Sequence, residues 1–304
     1  MPAEGGLHGW LVIDKPLGMT SNRVVELTRR SLGGKVGHAG TLDPLATGVL
    51  PIALGEATKT AHYATLGRKC YRFRIRWGEA RATDDGEGAI VAASDVRPEP
   101  AAIESALPRF TGTLWQRPPA YSAVKIAGRR AYALARADQA PDLAARPVEI
   151  AELRLLATPD IDHADFEAVV GKGTYIRALA RDLAEALGTV GHVAGLRRLS
   201  VGPFTEARAI SLDSLASLRH SLAASGHLLP IETVLDDIPA LALTAAEAAR
   251  LRHGQRVLPS TPAGTARISQ LDDGTVVGAH CDSHVVALAR VENGGLRPLR
   301  VINC

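Results

Sequence analysis

Residues 37–50 read Gly-His-Ala-Gly-Thr-Leu-Asp-Pro-Leu-Ala-Thr-Gly-Val-Leu, a glycine-framed turn that delivers one carboxylate, Asp43, into an apolar run. Gly37, Gly40 and Gly48 permit positive φ and close approach by a second molecule. Pro44 fixes φ directly after the acid and removes a backbone donor. The aspartate therefore sits on a stiff loop. Its local chemistry has two readings: an Asx-turn acid that closes the loop before a strand, the commoner use of such a residue, or a catalytic carboxylate held in a fixed direction. The run over 49–54, Val-Leu-Pro-Ile-Ala-Leu, predicts a buried strand directly behind it.

Upstream, Leu11, Val12 and Ile13 predict a short strand stopped by Pro16. Thr20 or Ser21 can cap a helix in which Val24, Leu27, Thr28 and Leu32 fall at helical spacing before Gly33 and Gly34. Downstream, 57–66 predicts a helix closed by Gly67. The stretch 71–77 alternates strictly, so Tyr71, Phe73, Ile75 and Trp77 share one face of a strand and Arg72, Arg74 and Arg76 the other. Helices are expected over 101–107, around Tyr132 and over 175–187, the last burying Ile176, Leu179, Leu183 and Leu187, and a strand over 166–170. Strands and helices mixed without a βαβ rhythm predict an α+β fold. A domain boundary is expected near Asp237. Beyond it, Thr244 and Glu247 form a T-x-x-E capping box, and strand-like runs alternate with Asp273-Gly274 and Asn293-Gly294. Residues 237–304 thus read as a small β-barrel-like domain behind 1–236. Within the latter, 128–147 changes charge sign over a few residues and reads as an excursion from the core.

A chain of 304 residues, 46% hydrophobic, can bury one large core and a small satellite. No apolar run approaches the roughly 18 residues of a membrane span, and the first ten residues carry no basic and apolar leader, so the cytoplasm is the expected address. Cys70, Cys281 and Cys304 are odd in number and lack C-x-x-C spacing, which argues against a disulfide framework or a zinc site. No metal is expected. A net charge of +3 is too small to demonstrate a polyanionic partner. Basic residues nonetheless concentrate in two places, Arg68 to Arg81 and Arg117 to Arg136, as phosphate contacts or as solvated faces.

Every fixed position of G-H-x-G-x-L-D-P-x-A-x-G-x-L is present in 37–50, and the segment resembles the catalytic loop of the TruB family, the tRNA pseudouridine-55 synthases. Further matches extend over almost the whole chain. In W-L-V-I-D-K-P-L-G-M-T-S, 10–21, the resemblance implies that Lys15 and Pro16 buttress the catalytic loop; taken alone, Lys15 reads as a surface lysine. In Lys69-x-Tyr71 it implies that the tyrosine ring packs on the target uracil with its hydroxyl free for a proton, whereas the pattern alone makes Tyr71 one more core aromatic. In G-K-G-T-Y-I-R, 171–177, it implies that Arg177 pairs with Asp43. A guanidinium at a helix start opposes the helix dipole unless an anion faces it, and charge-assisted hydrogen bonds to Asp43 would supply one.

By the same resemblance Asp43 is the nucleophile, His38, Tyr175 and Leu196 contact the substrate, and 116–125 with Gly128, Tyr132 and Arg136 folds over the T-arm of tRNA. Which of Asp84 and Asp85 takes the family's role stays open. Arg181 and Asp182 read as helix-surface charges and His192 as structural. The implied fold is a mixed, mainly antiparallel sheet flanked by helices, with a PUA-like β-barrel at the C-terminal end. The implied activity is cofactor-free isomerisation of a T-loop uridine, position 55, by a monomer whose partner is tRNA. The competing class is a non-catalytic tRNA-binding or tRNA-folding factor. A hydrolase triad of His38, Asp43 and a serine lacks a G-x-S-x-G elbow.

Overall fold

A computed structural model describes residues 6–122, 124–126, 129–135, 143–217, 221–222 and 225–303. Nine strands, β1 (Gly9–Lys15), β2 (Val36–His38), β3 (Ala46–Leu54), β4 (Lys69–Trp77), β5 (Gly112–Gln116), β6 (Arg146–Asp160), β7 (His163–Val170), β8 (Gly191–Val201) and β9 (Phe204–Thr205), form one sheet. Its order is β1-β3-β8-β4-β7-β6-β5, with β2 beside β3 and β9 beside β8. Every pairing in it is antiparallel except β3 with β8, where Ala46, Thr47 and Gly48 lie opposite Leu196, Arg197 and Arg198. That contact needs glycine. Gly48 has φ +97°, and a Cβ there would lie 2.2 Å from the Arg198 carbonyl oxygen.

The alternation over β4 sorts its side chains as expected: Phe73, Ile75 and Trp77 are buried, Arg72 and Arg74 exposed. Phe73 stacks on Phe166 of β7 at 5.3 Å between centroids, and Trp77 meets the same ring edge-on. Each such buried ring contributes about 1.5–3 kcal/mol. Helix α2 (Ile176–Ala186) closes this core with Ile176, Leu179 and Leu183. Helix α1 (Ser21–Leu32) packs Val24 and Val25 onto a second core with Leu11, Ile13, Leu50 and Ile52. Thr20 caps α1 by accepting from Arg23 N, and Gly33 ends it.

The helix expected over 57–66 is instead a 3-10 turn, Gly55–Lys59, followed by one short helix, Ala61–Ala64. Thr58, Thr60 and Thr65 each donate a hydroxyl to the carbonyl three residues back, and this local competition tightens the backbone.

Beyond residue 237, β10 (Ala240–Ala242), β11 (Val276–Cys281), β12 (His284–Glu292) and β13 (Gly295–Val301) form a four-stranded sheet in that order. Helix α3 (Ala245–Arg252) starts with the complete Thr244–Glu247 capping box. Asn293 and Gly294 both have positive φ, as the tight β12–β13 hairpin requires. One side of this sheet holds its own core of Leu241, Leu251, Val277 and Leu296. Val285, Leu288 and Ile302 join Trp10 and Phe204 of the larger sheet, and Ile231 and Leu235 of the 3-10 turn that follows it, in a shared core.

Of the excursion 128–147, Gly128 and 136–142 lie outside the described residues. Tyr132 falls in a short helix, Ala131–Ala135. Among the described residues, no helix is long and apolar enough to cross a membrane, and no group of three His, Cys, Asp or Glu is placed to hold a metal.

Candidate active site

Asp43 sits between β2 and β3 on a loop whose backbone is held from three directions. The Ser21 hydroxyl accepts from Leu42 N at 2.8 Å and donates to Leu42 O at 3.0 Å, so one side chain satisfies both backbone groups before the acid. Lys15 Nζ donates to Pro44 O at 3.2 Å, just after the acid, and also to Met19 O and Pro16 O at 2.6 and 2.9 Å. Gly18 N reaches the same Pro44 carbonyl at 2.8 Å. Lys15 is therefore no surface lysine: it is 0% exposed. Burial pushes its ammonium down to about 8 against a smaller opposing effect of the Asp43 charge. Pro16 is exposed and contributes its carbonyl. From below, Arg198 donates to Val49 O, Gly40 O and Thr41 O.

Arg177, the second residue of α2, is 4% exposed and brings Nε to 2.9 Å from Asp43 Oδ2. The expected hydrogen-bonded grip differs in form. Nη1 donates to Thr83 O at 2.7 Å and Nη2 to Tyr121 O at 2.9 Å, and these bonds fix the guanidinium plane. The Nε–H then does not point at the carboxylate, so the contact is an ion pair without a linear hydrogen bond. Asp43 keeps 37% of its side chain exposed, held on one side and open on the other.

Asp85 Oδ2 lies 3.6 Å from the same Nε, so two anions answer the helix dipole. This settles which neighbour faces the site. Asp85 is buried and accepts from the Thr83 hydroxyl and from Glu87 N, whereas Asp84, at φ 58°, turns away to Arg181 Nη1 at 2.9 Å. Arg181 is consequently not a free helix-surface charge; it also donates to Arg117 O. Glu87 joins the cluster electrostatically, its carboxyl pushed up by desolvation and then by the charges of Asp85 and Asp43.

Tyr71 is half-buried where two cores meet and lies opposite Arg198 of β8. Leu196 is also half-buried, opposite Phe73 on one side and Ala46 on the other, three residues after Asp43. The sheet thus brings both toward the loop. Tyr175 caps α2. The Gln116 side-chain amide grips its backbone, accepting from Tyr175 N at 2.8 Å and donating to Tyr175 O at 3.1 Å, while Arg146 lies 5.3 Å over its ring. His38 Nδ1 is buried without a hydrogen-bond partner, which leaves no relay to Asp43 through that nitrogen. Burial and then the Arg198 charge hold this imidazole below its ordinary range and hence neutral. His192 is buried with Nδ1 2.9 Å from Glu79 O.

The basic stretch 68–81 is largely neutralised. Arg68 pairs with Glu149, Arg72 with Glu167, Arg74 with Asp165 through two bonds, and Arg76 with Glu79. Two of them, Arg72 with Glu167 and Arg74 with Asp165, are direct cross-strand pairs on a solvated face. Sequence reasoning named Ser21 only as a possible helix cap and Gln116 only as the start of the 116–125 segment, and it passed over Arg198, although Arg198 shares a strand face with Leu196, the one signal of its inward direction.

Residues 27–176 match the family described as TruB family pseudouridylate synthase (N terminal domain), and 177–236 match the tRNA pseudouridylate synthase B C-terminal domain. The tRNA pseudouridine synthase B of Rhodospirillum rubrum is 55% identical over 298 residues, covering 98% of this chain and 97% of that protein. That of Bradyrhizobium diazoefficiens is 53% identical over 309 residues, covering 98% and 86%. Among solved structures, a chain of a Cbf5-Nop10-Gar1 complex superposes with a TM-score of 0.73 at 25% identity, covering 97% of this chain and 85% of that one. Such identity, carried over nearly the full length on a shared mixed α+β fold, means that the chain belongs to the TruB family of pseudouridylate synthases, which are isomerases.

Proposed function

We propose that the protein converts uridine to pseudouridine at position 55 in the T-loop of tRNA, with Asp43 as the catalyst, attacking either the ribose C1′ or C6 of the base, or acting as a base on the ribose that opens a glycal route. The reaction breaks the N1–C1′ bond, turns the base and joins C5 to C1′; the C5 proton leaves and N1 gains one. It balances without hydride, phosphate or metal. The observation that carries this reading is the Asp43 carboxylate, anchored 2.9 Å from a buried guanidinium on a loop tied down on both sides, yet open on its other face. Binding alone requires no carboxylate presented to a polyanion.

The target nucleotide is extruded at a cost of a few kcal/mol. Stacking on Tyr71 returns about 1–3 kcal/mol, and the Tyr71 hydroxyl handles a proton. Arg177 orients Asp43, Lys15 and Pro16 support its loop, and His38, Tyr175 and Leu196 contact the RNA. A neutral His38 suits that place, adding no charge beside the base. Residues 1–236 form the catalytic unit, with 128–147 folding over the T-arm, and 237–304 form a PUA-like RNA-binding domain. The enzyme works as a cytoplasmic monomer.

The test is mass-silent isomerisation of an unmodified tRNA transcript, read by chemical labelling of pseudouridine at each position. Labelling at position 55 is expected. Binding without any new pseudouridine would favour a tRNA-folding factor, and labelling elsewhere would move the target.

A further inference from the structure

Arg198 is among the largest wholly buried side chains of the protein, 1% exposed, and among the described residues no carboxylate lies within ion-pair distance of it. A buried cation without an anion is costly, and three carbonyls could be satisfied by neutral donors. Its hydrogen bonds show what the charge spans. Nε donates to Val49 O at 2.8 Å, after Asp43, while Nη2 donates to Gly40 O at 2.9 Å and Nη1 lies 3.5 Å from Thr41 O, before it. The planar fork therefore closes the base of the loop 40–49 like a cross-brace. The backbone packs closely at one end of this brace, where a Cβ on Gly48 would lie 2.2 Å from the Arg198 carbonyl oxygen, while Gly40 is in ordinary contact range of Nη1.

We propose that Arg198 is a positioning residue for Asp43: its guanidinium ties the two arms of the loop together and so sets the direction in which the carboxylate leaves it. This rests on the reading that Asp43 is the reacting group. Neither Lys15 nor Ser21 duplicates the function, because each holds the loop at a single residue, Pro44 or Leu42, whereas Arg198 joins both arms. An ammonium donates from one point and cannot span the same carbonyls.

The test compares Arg198→Lys and Arg198→Ala with the parent and with Asp43→Asn, in single-turnover isomerisation of a tRNA transcript, with tRNA affinity and thermal unfolding measured alongside. A rate loss of at least about tenfold is expected in Arg198→Lys, with tRNA affinity changed less than about twofold. Dilute guanidinium chloride is expected to restore part of the rate in Arg198→Ala and none in Asp43→Asn. A folded Arg198→Lys with the parental rate, a loss confined to affinity, or a folded Arg198→Ala untouched by guanidinium would each overturn the proposal. Where Arg198→Ala does not fold, Arg198→Lys decides alone. Turnover by Asp43→Asn would overturn the underlying assignment instead, whereas an inactive Asp43→Asn beside a fully active Arg198→Lys overturns only the role of Arg198.

Discussion

Two populations of arginine divide the sheet. On the outer face of β4, Arg72 and Arg74 keep 58% and 47% of their side chains exposed and meet Glu167 and Asp165 across the strands. Around the Asp43 loop, Arg177 and Arg198 are 4% and 1% exposed and give most of their donors to backbone carbonyls. An exposed pair gives up little hydration and contributes less than about 1 kcal/mol. A buried guanidinium gives up nearly all of its hydration, which carbonyl hydrogen bonds and, for Arg177, the ion pair with Asp43 must offset, and removing a partner costs about 3–5 kcal/mol. The first population sets the surface; the second sets geometry.

That contrast is open to direct attack. Asp43→Asn removes the anion paired with Arg177 and is expected to lower the isomerisation rate by about a thousandfold or more while tRNA binding persists. Retained turnover in a single-turnover assay would end the argument. Arg177→Lys keeps charge but cannot hold Thr83 O, Tyr121 O and Asp43 from one point, so a loss on the order of a hundredfold is expected. A near-parental rate would show that charge, not the fixed plane, is what the site uses.

Lys69 supplies a smaller test of buried cations away from the chemistry. Its Nζ donates to Thr65 O and Gly67 O, and burial pushes its ammonium down to about 8. An unfolded lysine titrates near 10.4. Between about pH 8 and pH 10.4 the unfolded chain therefore holds a proton that the folded one has lost, and this residue makes stability rise with pH across that window. Denaturant curves at several pH values should show a shallower rise in Lys69→Met than in the parent, and parallel behaviour would contradict it. Arg74→Ala is the smallest expected effect, a destabilisation below about 1 kcal/mol with no change in isomerisation rate. A large loss there would collapse the distinction.

The alternation of β4, the α1 cap, the α2 helix and the Thr244 capping box were all legible, because period and capping chemistry act over a few residues. The helix over 57–66 failed where three threonine hydroxyls competed for its carbonyls. The site was legible as a set of residues and not as a mechanism of support. Asp43, Arg177 and Lys15 stand in recognisable motifs, but nothing local shows that Lys15 is wholly buried, that the Arg177 fork is spent on carbonyls, or that Asp85 rather than Asp84 turns inward. The basic stretch 68–81 misled for the same reason: its acids, Glu149, Asp165 and Glu167, lie on other strands, and a charge count along the chain cannot see them.

The parallel contact between β3 and β8 of the larger sheet has a consequence in time. The Arg198 bonds to Val49 and Gly40 join residues 149 and 158 positions apart. At a synthesis rate of about 5–20 residues per second, the Asp43 loop leaves the ribosome roughly 8 to 30 s before its brace exists. Until then the loop lacks its Arg198 hydrogen bonds. On the proposed role of Arg198, the carboxylate is directed only after two-thirds of the chain has been made.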